Sequence, residues 1–263
     1  YHTPSLARTP EGTLLAFCEG REQDASDIVY RRSADRGRSW SRQALVARGA
    51  GSPTACIDPH SGDVILLSCK YGSNKDFSYE VCVQRSIDDG ITFTAPQEIT
   101  ESVSREEWLW YRTGPDHGIP VLHGISAGQI IVPCNHSTTN KNEGISHNIV
   151  SDDGGRTWCI GNSAGCTPPD IYREETIGCQ LIDGRIYFNS LRIDALEESS
   201  YRIDLYSEDD ARVLKRQGRP QPGLGRPAMQ GSMICLHNGI LVYSGPSDSR
   251  NYQGSMGLWM SED

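Results

Sequence analysis

The chain has 263 residues, with 27 glycines and 14 prolines and no linker-like break in composition, so residues 1–263 read as one large domain. A net charge of −9 argues against nucleic acid or an anionic membrane surface as partner, since both reward a basic face, but it leaves room for a small anion held by a few arginines. No apolar run of about 18 residues suggests a membrane-spanning helix, and the nine cysteines form no CxxC or Cys/His pattern that would imply a metal.

Along the chain, β-branched or period-two runs alternate with turn signals. Glu11-Gly12 precedes predicted strands at 13–18 and 28–32, which end on Ser33-Ala-Asp35-Arg-Gly37-Arg-Ser39-Trp40. Ser61-Gly62 precedes strands at 64–69 and 81–85, which end on Ser86-Ile-Asp88-Asp-Gly90-Ile-Thr92-Phe93. Strands at 130–134 and 145–150 end on Ser151-Asp-Asp153-Gly-Gly155-Arg-Thr157-Trp158. Asp183-Gly184 opens strands at 185–189 and 201–206, followed by a degenerate copy at Ser207 and Asp209. Asn238-Gly239 sits between strands at 233–236 and 240–243, and Ser261-Glu-Asp263 begins a fifth copy. No helical stripe interrupts this series.

The shared pattern is S-x-D-x-G-x-[ST]-aromatic, with leading serines 53, 65, 56 and 54 residues apart. That interval predicts one four-stranded blade per repeat and hence an all-β propeller of about five blades, the last incomplete. Within each copy, Asp and Ser side chains should hold nearby backbone N–H groups, Gly should supply a left-handed position, and the aromatic should plug the gap between sheets. Because propellers serve many functions, the activity has to be read from particular residues.

The turn pattern resembles the Asp box of the sialidase (neuraminidase) family. So do the opening segment Tyr1 through Arg21, Trp108-Leu-Trp-Tyr-Arg-Thr-Gly-Pro115, Val132-Pro-Cys-Asn-His136, Glu175 through Arg192, and Tyr243-Ser-Gly-Pro246 with Arg250. The resemblance implies a six-bladed β-propeller, present here as about five blades and incomplete at both ends. It implies an exo-alpha-sialidase that removes terminal α-linked sialic acids with retention. A non-catalytic Asp-box propeller that binds sialylated glycans or proteins is the alternative.

The residue types suit that chemistry. A sialic acid carries a carboxylate on its anomeric carbon, and arginine forks bind carboxylates bidentately. Arg192 and Arg250 match two arginines of the family's triad. The first triad position is occupied by His2, in Tyr-His-Thr-Pro where the family has Arg-Ile-Pro, which argues for weaker binding or a different ligand. The same carboxylate repels an acidic nucleophile, so sialidases use tyrosine. The resemblance makes Glu175 the residue that activates it, with Glu174 competing, and puts the tyrosine beyond Asp263. Asp24 is the candidate general acid/base, with Asp27 the alternative in the same loop. Trp108 and Trp110 are candidate walls of the sugar pocket, against the commoner fate of core packing. No metal or organic cofactor is required, the partner is a sialylated glycoconjugate, and neither compartment nor oligomeric state is indicated.

Overall fold

A computed structural model describes residues 1–22, 25–71, 79–138, 144–163, 171–194, 199–207, 221, 224, 230–247 and 255–261. They form nineteen strands and one helical turn, arranged as five propeller blades. Blade 1 is the antiparallel series β1 (His2–Arg8), β2 (Leu14–Glu22), β3 (Ala25–Ser33) and β4 (Ala44–Ala47). Blade 2 repeats it with β5 (Ala50–Ile57), β6 (Val64–Tyr71), β7 (Tyr79–Ser86) and β8 (Gln97–Glu98), followed by the helical turn α1 (Thr100–Val103). Blade 3 splits its innermost strand into β9 (Trp110–Thr113) and β10 (Ile119–Pro120), both paired to β11 (Ile130–Ser137); β12 (Ile145–Ser151) and β13 (Cys159–Ser163) complete it. Blade 4 holds β14 (Ile171–Gln180), β15 (Ile186–Asp194) and β16 (Ser199–Ser207). Blade 5 holds β17 (Ser232–Cys235), β18 (Leu241–Pro246) and β19 (Met256–Ser261).

Strand alternation decides where the core lies. On β6, Ile65, Leu67 and Cys69 point to blade 3, whereas Val64 and Leu66 point to blade 1. On β11, Ile130, Val132 and Cys134 face blade 2, and Ile131 faces blade 4. Central strands are therefore apolar on both faces, which is why they read as continuous hydrophobic runs. Four apolar layers result, one between each pair of successive blades. Each fully buried aliphatic side chain contributes roughly 1.5–3 kcal/mol.

The three complete turn motifs close as their chemistry requires. In the first, Asp35 Oδ1 accepts from Ser39 N and Ser33 Oγ, each at 2.8 Å, while Gly37 N donates to Ser33 Oγ at 2.8 Å. Asp88 and Asp153 make the same set in the second and third copies. The aromatics of the second and third copies plug the gap toward the preceding blade. Phe93 meets Phe17 and Tyr30 of blade 1 edge-on, and Trp158 is buried against blade 2. Trp40, on blade 1, is 38% exposed. Asp209 and Asp263, from the fourth and fifth copies, lie outside the described residues. Among the described residues no helix is long and apolar enough to cross a membrane.

Candidate active site

The innermost strands share an irregularity at one level. Register slips between His2 and Ser5 in β1, between Gly51 and Thr54 in β5, and between Glu174 and Ile177 in β14. At each slip a non-glycine residue takes a left-handed backbone: Thr3 at φ 45°, Ser52 at 54° and Glu175 at 49°. Blade 3 breaks its inner strand at the matching place, with Gly114 at φ 77°. Proline follows the left-handed residue in three of the four cases (Pro4, Pro53 and Pro115), where its fixed φ stops the ladder from closing. Such bulges redirect side chains and gather beside active sites.

A belt of buried polar contacts links these bulges from blade to blade. Ser52 N donates to Glu19 Oε1 at 2.7 Å, and Glu19 is only 4% exposed. Thr113 Oγ1 donates to Ser52 O at 2.5 Å. Asn135 Nδ2 donates to Gly114 O at 2.9 Å, and Asn135 Oδ1 accepts from Glu175 N at 3.1 Å. Arg202 Nη1 donates to Glu175 O at 3.3 Å, and its guanidinium lies 5.5 Å from the centroid of the Tyr243 ring in blade 5. The belt fixes all five blades at the same end of the fold. Asp116, in blade 3, adds a further tie to blade 5 by accepting from Met233 N at 3.2 Å.

Glu175 sits in this belt on β14, half-buried. Arg192 lies on the adjacent β15, its backbone paired with Arg173 on one side and Tyr201 on the other; its side chain is not among those described, nor is that of Glu174. His2 is exposed at the start of β1 and pairs with Glu19 across the ladder. Asp24 lies outside the described residues, between Glu22 and Ala25, which form the last rung of the β2–β3 hairpin. Asp27 has a structural duty, since its Oδ1 accepts from Gly49 N at 2.9 Å. Arg250 also lies outside the described residues, beyond the last β18–β19 rung at Pro246 and Met256.

The two tryptophans part company. Trp108 is 7% exposed, and its ring stacks on His136 with centroids 3.7 Å apart, so it packs between blades 2 and 3. Trp110 is half-buried, with the Arg112 guanidinium 5.3 Å from its ring centroid. Beneath them His136 Nδ1 meets His147 Nδ1 at 3.0 Å. Burial holds His136 down to about 4 and His147 well below the usual imidazole value, each helped by the positive charge of Arg105. Both rings are therefore neutral near pH 7, one donating to the other.

Sequence reasoning missed Glu19, Ser52, Thr113, Asn135 and Arg202 as members of the belt. Each is a polar residue at an inward strand position, a weak signal in one sequence. Pro4 and Pro53 inside β1 and β5 were the stronger clue, because proline in an inner strand marks a bulge.

Comparison with known proteins fits this geometry. The BNR repeat-like domain profile matches residues 12–216. The chain belongs to the BNR repeat-like family. Among curated relatives, the exo-alpha-sialidase of Aspergillus fumigatus is 29% identical over 273 aligned positions, covering 89% of this chain and 60% of that protein. The Micromonospora viridifaciens sialidase is 28% identical, covering 72% of this chain and 32% of its own length. The chain thus spans about a third to three fifths of these relatives. Of solved structures, a Hadza microbial sialidase superposes with a TM-score of 0.81 at 19% identity, covering 100% of this chain and 56% of its own. A leech intramolecular trans-sialidase complexed with 2,7-anhydro-Neu5Ac gives 0.82 at 13% identity, covering 98% and 57%. At these identities the superpositions establish the propeller fold alone. The sialidase resemblance read from the Asp boxes and the family assignment agree.

Proposed function

We propose that this BNR repeat-like chain is the greater part of an exo-alpha-sialidase that hydrolyses terminal α-linked sialic acids with retention. The observation that carries the proposal is Glu175: a half-buried carboxylate at a left-handed bulge of an inner strand, beside the strand that bears Arg192. Arg192 and Arg250, with His2 at the first position of the triad, hold the sugar carboxylate. Asp24 protonates the leaving oxygen while a tyrosine, its proton passing to Glu175, attacks the anomeric carbon and the glycosidic C–O bond breaks. Water, deprotonated by Asp24, then displaces the tyrosine oxygen, which regains its proton from Glu175. Two inversions leave the α-anomer. Trp110 is the remaining aromatic candidate for the pocket wall.

The tyrosine belongs to a segment beyond Asp263, together with a sixth blade. The exposed apolar faces of blades 1 and 5 support that placement. Leu6 and Leu45 are 53% and 45% exposed on blade 1, and Leu258 and Met260 are each 75% exposed on blade 5. Residues 1–263 alone should not turn over a fluorogenic sialoside, whereas the full-length protein should, with the α-anomer appearing first by proton NMR. Glu175→Gln should lower kcat by about 10²–10⁴-fold, the range for losing a positioned acid–base group. Steady turnover by residues 1–263 overturns the nucleophile placement, and undiminished kcat in Glu175→Gln overturns the base. The second reading, a non-catalytic binder, is favoured by His2, and predicts sialoside binding to the full-length protein with no turnover.

A further inference from the structure

We propose that Asn135 and Arg202 are positioning residues that lock Glu175 in its left-handed backbone conformation, from two sides and from two blades; this rests on the reading of Glu175 as the tyrosine's base. A glutamate gains nothing intrinsic from φ 49°, since its Cβ crowds the backbone there. The conformation persists because its two peptide groups are spoken for. Asn135 Oδ1, on β11 of blade 3, accepts from Glu175 N at 3.1 Å. Arg202 Nη1, on β16 of blade 4, donates to Glu175 O at 3.3 Å.

Both clamps are themselves held. Asn135 is 5% exposed; its Oδ1 also accepts from Ser146 Oγ at 2.9 Å, and its Nδ2 donates to Gly114 O at 2.9 Å. The amide orientation is therefore fixed, because a flipped amide would set its NH2 against Glu175 N–H. Arg202 is 1% exposed, donates to Asn189 O at 3.2 Å and Asn189 Oδ1 at 3.0 Å, and packs on Tyr243. Beside the bulge, Thr176 and Ser190 bond across the β14–β15 ladder. Blade 2 uses a related device: Ser52 N is held by Glu19 of the preceding blade and Ser52 O by Thr113 of the next. The clamp is thus a repeated feature of the inner strands, and at β14 it carries a carboxylate. A shift of one ångström or so in such a group can cost about 10²-fold in rate.

The test uses the full-length protein and a fluorogenic sialoside. Asn135→Leu and Arg202→Met should each lower kcat by about 10–100-fold with KM changed less than about threefold. In a Glu175→Gln background either substitution should add less than about threefold, because residues acting through one group are not additive. Asn135→Asp keeps the acceptor for Glu175 N. It should retain most of kcat and move the acid limb of the pH–rate profile upward, as the new carboxylate disfavours ionisation of Glu175. Full additivity with Glu175→Gln, or no shift of the acid limb in Asn135→Asp, overturns the proposal. If Asn135→Leu does not fold, Arg202→Met and Asn135→Asp carry the test. If Glu175→Gln itself leaves kcat intact, the base assignment fails and the clamp is judged by crystal structures of Asn135→Leu and Arg202→Met. Residue 175 leaving the left-handed region then supports the clamp, and its staying there overturns it.

Discussion

His2 is exposed at the start of β1, opposite the buried Glu19, and in the proposed site it takes the place of the first carboxylate-binding arginine. Its imidazole can offer a carboxylate one donor when neutral, whereas a guanidinium offers two parallel charged ones. Charge-assisted bonds contribute roughly 1.5–3 kcal/mol against about 1 for neutral ones. His2→Arg in the full-length protein should therefore tighten sialic acid binding, up to about tenfold, as measured by calorimetric titration. Unchanged affinity would mean that residue 2 does not touch the carboxylate. Residue identity alone brought the reasoning this far, but not to the belt that holds Glu175. Asn135 acts on a backbone in the next blade and Arg202 on one two strands away in its own blade, and nothing in their own neighbourhoods of sequence announces a partner 40 or 27 positions away.

At the scale of elements, the Asp boxes and the histidine pair give acid sensitivity in two separate windows. Hydrogen bonds from Ser and Thr hydroxyls and backbone N–H groups hold Asp35 and Asp88 at about 2. Asp153 reaches about 2 as well, its hydrogen bonds outweighing the opposing burial. Carboxylates held low in the folded state stabilise it above the unfolded value near 3.8, and that contribution fades as pH falls toward 2. His136 and His147 are bases held low, so stability is complete above the unfolded value near 6.5 and declines below it, because the unfolded chain then binds more protons. For His136 the decline ends near 4 and amounts to at most roughly 3 kcal/mol. Urea midpoints should fall between pH 6.5 and 4, then again below about 3.8, and His136→Gln should shrink the first step alone. A flat midpoint from pH 7 to 4.5 would contradict the buried neutral pair. Asp153→Ala, which strips the third box of its acceptor, should cost roughly 1–2 kcal/mol at pH 7. The boxes were legible in the sequence because each is a closed local circuit of eight residues. The histidine pair was not, since Trp108, His136 and His147 meet only after β11 and β12 pair and the segment before β9 folds over them.

For the whole molecule, the issue is how a ring of blades ends. Blades 2, 3 and 4 are covered on both faces by apolar layers, which accounts for the continuous hydrophobic runs at their centres. Among the described residues, blades 1 and 5 are covered on one face and show leucine and methionine on the other. A propeller keeps its sheet edges short and protected by closing on itself, and the proposed sixth blade would seat between these two faces. The box aromatics measure this directly, because those of blades 2 and 3 plug the gap toward the preceding blade. Trp158 is 4% exposed and donates from Nε1 to Gly155 O at 3.1 Å, so Trp158→Ala should cost roughly 3–5 kcal/mol in any version of the protein. Among the described residues Trp40, at 38% exposure, fills no such gap, and in residues 1–263 Trp40→Ala should cost no more than about 1 kcal/mol. In the full-length protein a sixth blade would cover Trp40, and the same substitution should approach the cost of Trp158→Ala. Denaturant titrations of both variants at both lengths measure the difference. Equal, small costs for Trp40→Ala at the two lengths would leave blade 1 uncovered and refute the sixth blade.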